Sequence, residues 1–299
     1  MALNIQTLKT RSLTAAIFVV VMLLGLLWNF WSFVVLFTII HWGCWIEYLN
    51  LIEKINDDKI EDSFIKNYFA FCGVLLAFIL GIDYYSFSFF YKISSFNIDL
   101  KYIFWALLFL GLLIFLFQNK KVKNKTKKYA LLGFVYLSIP FTFLFSLTYF
   151  EFKSSEGGID YSRFTFSNIY PLLIIFSIWI NDTMAYIVGS LIGKTPFSKI
   201  SPKKTWEGTG GGAVLCIIVM VGIGYAFFTK NVPDYIIAVI AALCAIFGTL
   251  GDLFESKLKR LANVKDSGSF MPGHGGFLDR FDSLLFAVPA VWVYVKLFL

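Results

Sequence analysis

The sequence predicts an all-α, polytopic membrane helix bundle, and three observations carry that expectation. The chain is 58% hydrophobic, only 15% of it is charged, and its apolar runs are long enough to cross a bilayer. A soluble chain carries about 25% charged residues, so this one lacks the polar surface of a large water-soluble fold. Its 35 phenylalanines suit lipid contact and close helix packing.

A span needs roughly 20 predominantly apolar residues to cross about 30 Å of hydrocarbon, and its backbone groups have to bond within the segment, which makes it a helix. The chain offers about nine such spans: residues 12–28, 30–47, 66–82, 100–117, 129–149, 169–191, 209–228, 235–252 and 282–298. Asn29 turns the first two into a tight hairpin. Lys9 and Arg11 precede the first run as in a secretory signal, but no small-residue cleavage site follows, so the run reads as an uncleaved span. Cys44, Cys72, Cys216 and Cys244 lie in apolar stretches without metal-ligand spacing and read as packing residues.

Charge sets the orientation. With the N-terminus inside, twenty of the 26 lysines and arginines fall on the cytoplasmic side, which predicts an N-in, C-out topology. The lysine run at 120–128 reads as a topology determinant that also attracts acidic lipid head groups, not as a nucleic-acid site. Polar groups then divide the chain. Residues 1–168 hold about five spans with few intramembrane polar groups, Glu47 near a helix end being the main exception, and read as a scaffold. Residues 169–299 gather the glycines and carboxylates and read as a catalytic transmembrane domain with cytoplasmic loops.

Three places in that second part carry chemistry. Asp182, beside Asn181 in the sixth span, costs several kcal/mol if left unpaired in hydrocarbon, so it belongs in a bundle interior or polar cavity. Asp182, Tyr186 and Gly189 share a helical face next to Ala185, giving a polar stripe beside small residues. The loop that follows sets Ser201, Lys203, Lys204, Thr205 and Glu207 before Gly208, Gly210, Gly211 and Gly212. It lacks the order of a P-loop, but ammonium groups beside a helix N-terminus make a competent phosphate site. At the end of the eighth span Asp252, Glu255 and Ser256 lie on one helical face, where carboxylates oppose the helix dipole and a hard cation such as Mg²⁺ would neutralise them.

The segment Ser256–Asp282 interleaves Lys257, Lys259, Arg260, Lys265 and Arg280 with Asp266, Asp279 and Asp282, among glycines that let the backbone wrap closely around a ligand. Carboxylates mixed with basic groups suit a metal-bridged triphosphate. The segment fits the pattern S-x-x-K-R-x(4)-K-D-x-G-x(3)-P-x-H-G-G-x-x-D-R-x-D at every fixed position, Pro272 and His274 included. It resembles the phosphatidate cytidylyltransferases, also called CDP-diacylglycerol synthases. Upstream, Asn181-Asp182-x-x-Ala185-Tyr186 and Ser201 to Gly208 are similar to the same family, so the likeness is specific from about residue 180 to 282.

The resemblance implies transfer of a cytidylyl group from CTP to phosphatidate in phospholipid biosynthesis, with Mg²⁺ or another divalent cation as cofactor and membrane lipids and a homodimer as partners. It also implies a multi-pass protein of the bacterial inner (plasma) membrane with its active site facing the cytoplasm. On that reading Asp252, Asp279 and Asp282 bind metal, and Asp266 binds metal or orients a lysine. Lys265, Asp266, His274 and Asp282 are the catalytic candidates, with a turn-packing role equally open for His274. Asn181, Asp182, Ser201, Lys203, Lys204, Thr205, Lys259, Arg260, Arg280, Gly275 and Gly276 are the candidates for holding CTP and the phosphates. Two readings compete: another CTP-dependent lipid enzyme, such as a lipid-alcohol kinase, and an ion-coupled transporter using Asp182.

Overall fold

A computed structural model describes residues 5–60, 63–81, 109–111, 123–150, 165–227, 232–271 and 275–299. Helices α1 (Ile5–Leu27), α2 (Phe30–Asn56), α3 (Ser63–Gly81) and α4 (Asn124–Ser146) come first. A two-residue antiparallel pair, β1 (Tyr149–Phe150) with β2 (Thr165–Phe166), precedes α5 (Ile169–Ile192), α6 (Trp206–Phe227), α7 (Asp234–Leu261) and α8 (Leu278–Phe298). The protein is an all-helical, polytopic membrane protein in class.

Among the described residues six helices, α2 and α4 to α8, are long and apolar enough to span a membrane, and α1 and α3 hold shorter apolar stretches at Ser12–Leu27 and Ile65–Phe78. This is fewer than the expected nine; of the fourth expected span, 100–117, only residues 109–111 are described, and 109–111 are helical. Two helices also outrun their expected ends. α2 continues from 47 to Asn56 and α7 from 252 to Leu261, because charge ends a membrane span but does not end a helix. The real stops are left-handed residues: Asp57 at φ 46° after α2 and Asn263 at φ 53° after α7.

The chain separates into two compact units, Met1–Asn168 with Ala262–Leu278, and Ile169–Leu261 with Asp279–Leu299. The break after Asn168 lies where the polar groups begin, whereas the glycine-rich segment Ala262–Leu278 packs with the first unit instead of staying in the second.

In the first unit Asn29 caps α2 through a reciprocal pair, Ser32 N to Asn29 Oδ1 at 2.8 Å and Asn29 N to Ser32 Oγ at 3.0 Å. Phe33, Phe37, Phe141 and Phe145 fill the core, and the His41 ring stacks on Phe141 at 4.3 Å. Trp45, wholly buried, donates from Nε1 toward His41 Nε2 and Ser138 Oγ at 3.1 and 3.2 Å. Gly73 and Gly133 make that ring's slot, since a Cβ at either would meet the indole. A π-helical turn at Phe134–Ser138 precedes Pro140, whose missing N–H removes one rung of the α-helical ladder. All four cysteines are free and buried, as the packing reading expects.

The second unit rests on a close helix crossing. A Cβ at Gly212 would lie 2.6 Å from the Ala185 backbone, and one at Gly208 would lie 2.8 Å from Gly189 Cα. Ala185 and Gly189 thus face Gly208 and Gly212 at four-residue spacing, so α5 and α6 touch backbone to backbone, and Gly193 beyond α5 lies against Thr205. The far side of α6 presents Val214, Ile218, Tyr225 and Phe227 outward, the apolar surface a lipid-facing helix needs.

Candidate active site

A cavity of about 430 Å³ opens in the second unit beside that crossing. α5 contributes Asn181, Asp182, Ala185, Tyr186, Gly189 and Ser190; α6 gives Gly208 and Thr209; α7 gives Thr249 and Asp252; and the α5–α6 loop gives Ser201, Lys203, Lys204 and Thr205. The stripe expected on α5 is therefore a cavity wall. Its small residues serve twice, bringing α6 close and leaving room for a ligand. The volume is in the range of a small-molecule site.

The loop is held in shape by its own chain. Phe197 N bonds Lys204 O at 2.7 Å and Trp206 N bonds Thr195 O at 3.0 Å, making a small hairpin closed by the Phe197–Trp206 ring contact. Thr205 caps α6 by accepting from Gly208 N at 3.1 Å. Glu207 then reaches back, accepting from Thr195 Oγ1 at 2.8 Å and from the Lys194 and Thr195 amides at 3.1–3.2 Å. Glu207 thus fastens the loop base while Ser201, Lys203 and Lys204 line the cavity.

α7 supplies the opposite charge. Asp252 accepts from Ser256 Oγ at 3.1 Å, the one-face arrangement expected, and pairs with Lys204. Gly251 lies against the Asp282 backbone carbonyl, so α7 and α8 touch where both carboxylates are carried. Asp282, only 8% exposed, shares an electrostatic neighbourhood with Asp252 and Asp182, and Asp182 in turn with Lys204 and Arg280.

Lys259 and Asp279 are placed otherwise than expected. Lys259 pairs with Glu255, one turn earlier on α7, and lies 2.6 Å from Asp279 Oδ1 on α8. Glu255 is fully buried and the Asp279 side chain is 8% exposed. Asp279 therefore already has a cation, and Lys259 is committed to two carboxylates rather than held out for phosphate. Among the described residues no three His, Cys, Asp or Glu side chains are grouped to hold a metal ion, so Asp252, Asp279 and Asp282 do not form a ready-made triad.

The remaining predicted residues are not among those that line this cavity. Arg260 is exposed on the last turn of α7. Lys265, Asp266, Gly275 and Gly276 belong to the first unit, where Asp266 lines a hollow of about 560 Å³ with Glu53, Asp57, Asp58 and Ser267. Gly275 has φ 86°, which by itself calls for glycine, and a Cβ at Gly276 would strike the Glu47 carboxylate. Pro272 and His274 lie outside the described residues. Sequence reasoning gave no role to Glu47, which holds this loop, or to Glu207. The signal for Glu47 was there: a lone carboxylate inside an otherwise apolar scaffold span.

The model of the cytidylyltransferase family matches residues 9–298, nearly the whole chain and both units. The chain belongs to the cytidylyltransferase family. Among curated members of this cytidylyltransferase family it is 37% identical over 162 residues to the phosphatidate cytidylyltransferase of Staphylococcus saprophyticus, covering 54% of this chain and 56% of that protein. It is 34% identical over 194 residues to that of Staphylococcus haemolyticus, covering 64% and 68%. With that of Bacillus subtilis it shares 44% over 134 residues, covering 43% and 49%. The matched stretches thus span about half to two thirds of these relatives.

The donor set suits the divalent cation expected from the resemblance. Asp252 and Asp282 are carried where α7 and α8 touch, and Asp252 already carries the Lys204 ammonium as its counter-ion. Mg²⁺ takes only one or two carboxylates from protein and completes its shell with water and substrate phosphates, so a pair of aspartates suffices.

Proposed function

We propose that this protein transfers the cytidylyl group of CTP to phosphatidate, giving CDP-diacylglycerol and pyrophosphate. The observation that carries the reading is the cavity where Lys203, Lys204 and Thr205 face Asp182 and Asp252 on apolar helices. A lipid phosphate has to stay at the bilayer while a nucleotide arrives from water, and a polar hollow within apolar helices meets both needs. Family membership and the names of the relatives support the same substrates.

In the transfer, a phosphate oxygen of phosphatidate attacks the α-phosphorus of CTP, the bond from that phosphorus to the bridging oxygen breaks, and pyrophosphate leaves with the electron pair. Both reactants are anionic, so the main barrier is charge repulsion. Lys203 and Lys204 hold phosphate oxygens, the Thr205 hydroxyl adds a donor, and Asn181 with Asp182 orients the nucleoside. Lys204 moves from Asp252 to phosphate as CTP enters. Mg²⁺ held by Asp252 and Asp282 would supply further neutralisation of the reacting phosphates. The attacking phosphate is already ionised near neutral pH, so no strong general base is needed.

The site faces the cytoplasm of a bacterial plasma membrane on this reading, supported by the lysine and arginine distribution, and the chain works as a homodimer. Cross-linking in native membranes tests the dimer, and blocking a cysteine placed at Ser201 from each side of sealed vesicles tests the orientation. The function is tested with purified protein, labelled CTP and phosphatidate in mixed micelles. CDP-diacylglycerol with pyrophosphate is expected, Asp282→Asn lowers turnover about a hundredfold or more, and chelation of divalent cations stops it. Release of CDP points to a lipid kinase, and full turnover by folded Asp282→Asn removes Asp282 from the site.

A further inference from the structure

Among the buried carboxylates to which the proposed transfer gives no role is Glu47. Glu47 sits on α2, at the end of its long apolar and aromatic run, and is 8% exposed. Its oxygens accept three hydrogen bonds from residues more than two hundred positions later. Ser267 Oγ donates to Oε2 at 2.8 Å, Phe277 N to Oε1 at 2.9 Å and Leu278 N to Oε2 at 2.9 Å. Two glycines complete the seat: a Cβ at Gly268 or at Gly276 would collide with this carboxylate.

These contacts fall on both limbs of the signature loop. Ser267 and Gly268 lie just after Lys265 and Asp266, and Gly276 to Leu278 lead directly into Asp279, Arg280 and Asp282. Leu278 is the first residue of α8, so its N–H is one of the donors a helix start leaves without an intrahelical partner. A carboxylate there also suits the positive end of the helix dipole. Glu47 is thus a helix cap supplied by a different helix, and it ties the loop's two ends to one point. Hydrogen bonds to such a buried carboxylate are each worth about tenfold or more in an equilibrium.

We infer that Glu47 is a positioning residue for the reaction: it holds Ser267–Gly268 and Gly276–Leu278 together and sets the start of α8, from which the loop and first-turn residues take their places. The kinetic part rests on the proposed cytidylyl transfer; the anchoring part does not. Glu47 does not itself touch substrate.

Glu47→Gln is the sharpest variant, because it keeps the shape while presenting an amide N–H₂ to backbone or hydroxyl donors. In the purified full chain we expect hydrogen exchange across residues 263–279 to rise about tenfold while exchange elsewhere and the thermal midpoint hold. Turnover falls and KM for CTP rises, each about tenfold, a split that partial unfolding does not give because it removes active molecules without changing KM. Ser267→Ala removes a single bond from the loop side and should give the same pattern at about threefold, which keeps the test open if Glu47→Gln folds poorly. Wild-type exchange over 263–279 in both variants overturns the anchor. Activity that falls only with the folded fraction, at unchanged KM, reduces Glu47 to a structural residue and overturns the positioning role. A wild-type chain that makes no CDP-diacylglycerol defeats the proposed function, and the exchange measurement then still decides the anchor.

Discussion

Replacing Lys259 by methionine tests the buried charge network that joins α7 to α8. The wild-type ammonium serves two carboxylates, Glu255 with no exposed side-chain surface and Asp279 with 8%. Met keeps the apolar stem and removes the charge, leaving two acids facing each other close to Asp282. At a separation near 4 Å and an effective dielectric of 20, one lost pair is worth about 4 kcal/mol, in line with the ~3–5 kcal/mol seen when one partner of a buried pair is removed. The midpoint of thermal unfolding, read from tryptophan fluorescence in detergent, should drop by on the order of 10 °C. Adding Glu255→Gln to Lys259→Met removes the more deeply buried of the two charges that lost Lys259 and should recover at least ~2 kcal/mol beyond additivity. A Lys259→Met protein that melts within about 2 °C of wild type, with its defect confined to KM for CTP, would refute the reasoning and return Lys259 to phosphate binding.

Three further outcomes follow from the site. Gly212→Leu places a side chain where α5 backbone now lies and should cost about 3 kcal/mol or more, seen as lost folded yield, whereas Gly222→Ala, with nothing within 4 Å, should be neutral or stabilising. Lys204→Ala removes the partner of Asp252 and, on the proposed function, a phosphate ligand; KM for CTP should then rise about tenfold with a weaker salt dependence, in initial-rate assays across ionic strength. Glu207→Ala frees the base of the α5–α6 hairpin, and trypsin cleavage after Lys199, Lys203 or Lys204 should quicken about tenfold while the helices stay intact.

Much of the fold was legible because the bilayer imposes a strong and simple rule. The expected spans at 169–191, 209–228 and 235–252 find their helices, as does the hairpin at Asn29, since a run of apolar residues has few alternatives in lipid. Helix ends were less legible: α2 and α7 run nine residues past their expected ends, because nothing in a charged sequence forbids one more helical turn.

The candidate site divides in the same way. Asp182 could be read from an acid inside an apolar span, Lys203, Lys204 and Thr205 from ammonium and hydroxyl groups before a helix start, and Asp252 from an acid at a helix end, and all five line one cavity. The pairing of Lys259 with Glu255 and Asp279, and the grip of Glu207 on Thr195, could not be read, because lysines and acids in a loop pattern carry no label for their partners.

The sequence by itself determined that the chain is a helical membrane protein, that its intramembrane polar groups gather after about residue 168 with Glu47 the main exception, and which family signature it carries. Those properties are set by local composition and spacing, which act along the chain. Only the tertiary structure decided that Ala262–Leu278 packs with the first unit, that Glu47 caps α8, and that Lys259 is a tie rather than a free cation. Each depends on contact between residues 20 to 231 positions apart, and hydrogen-bond geometry at such separation is fixed by packing, not by sequence neighbours.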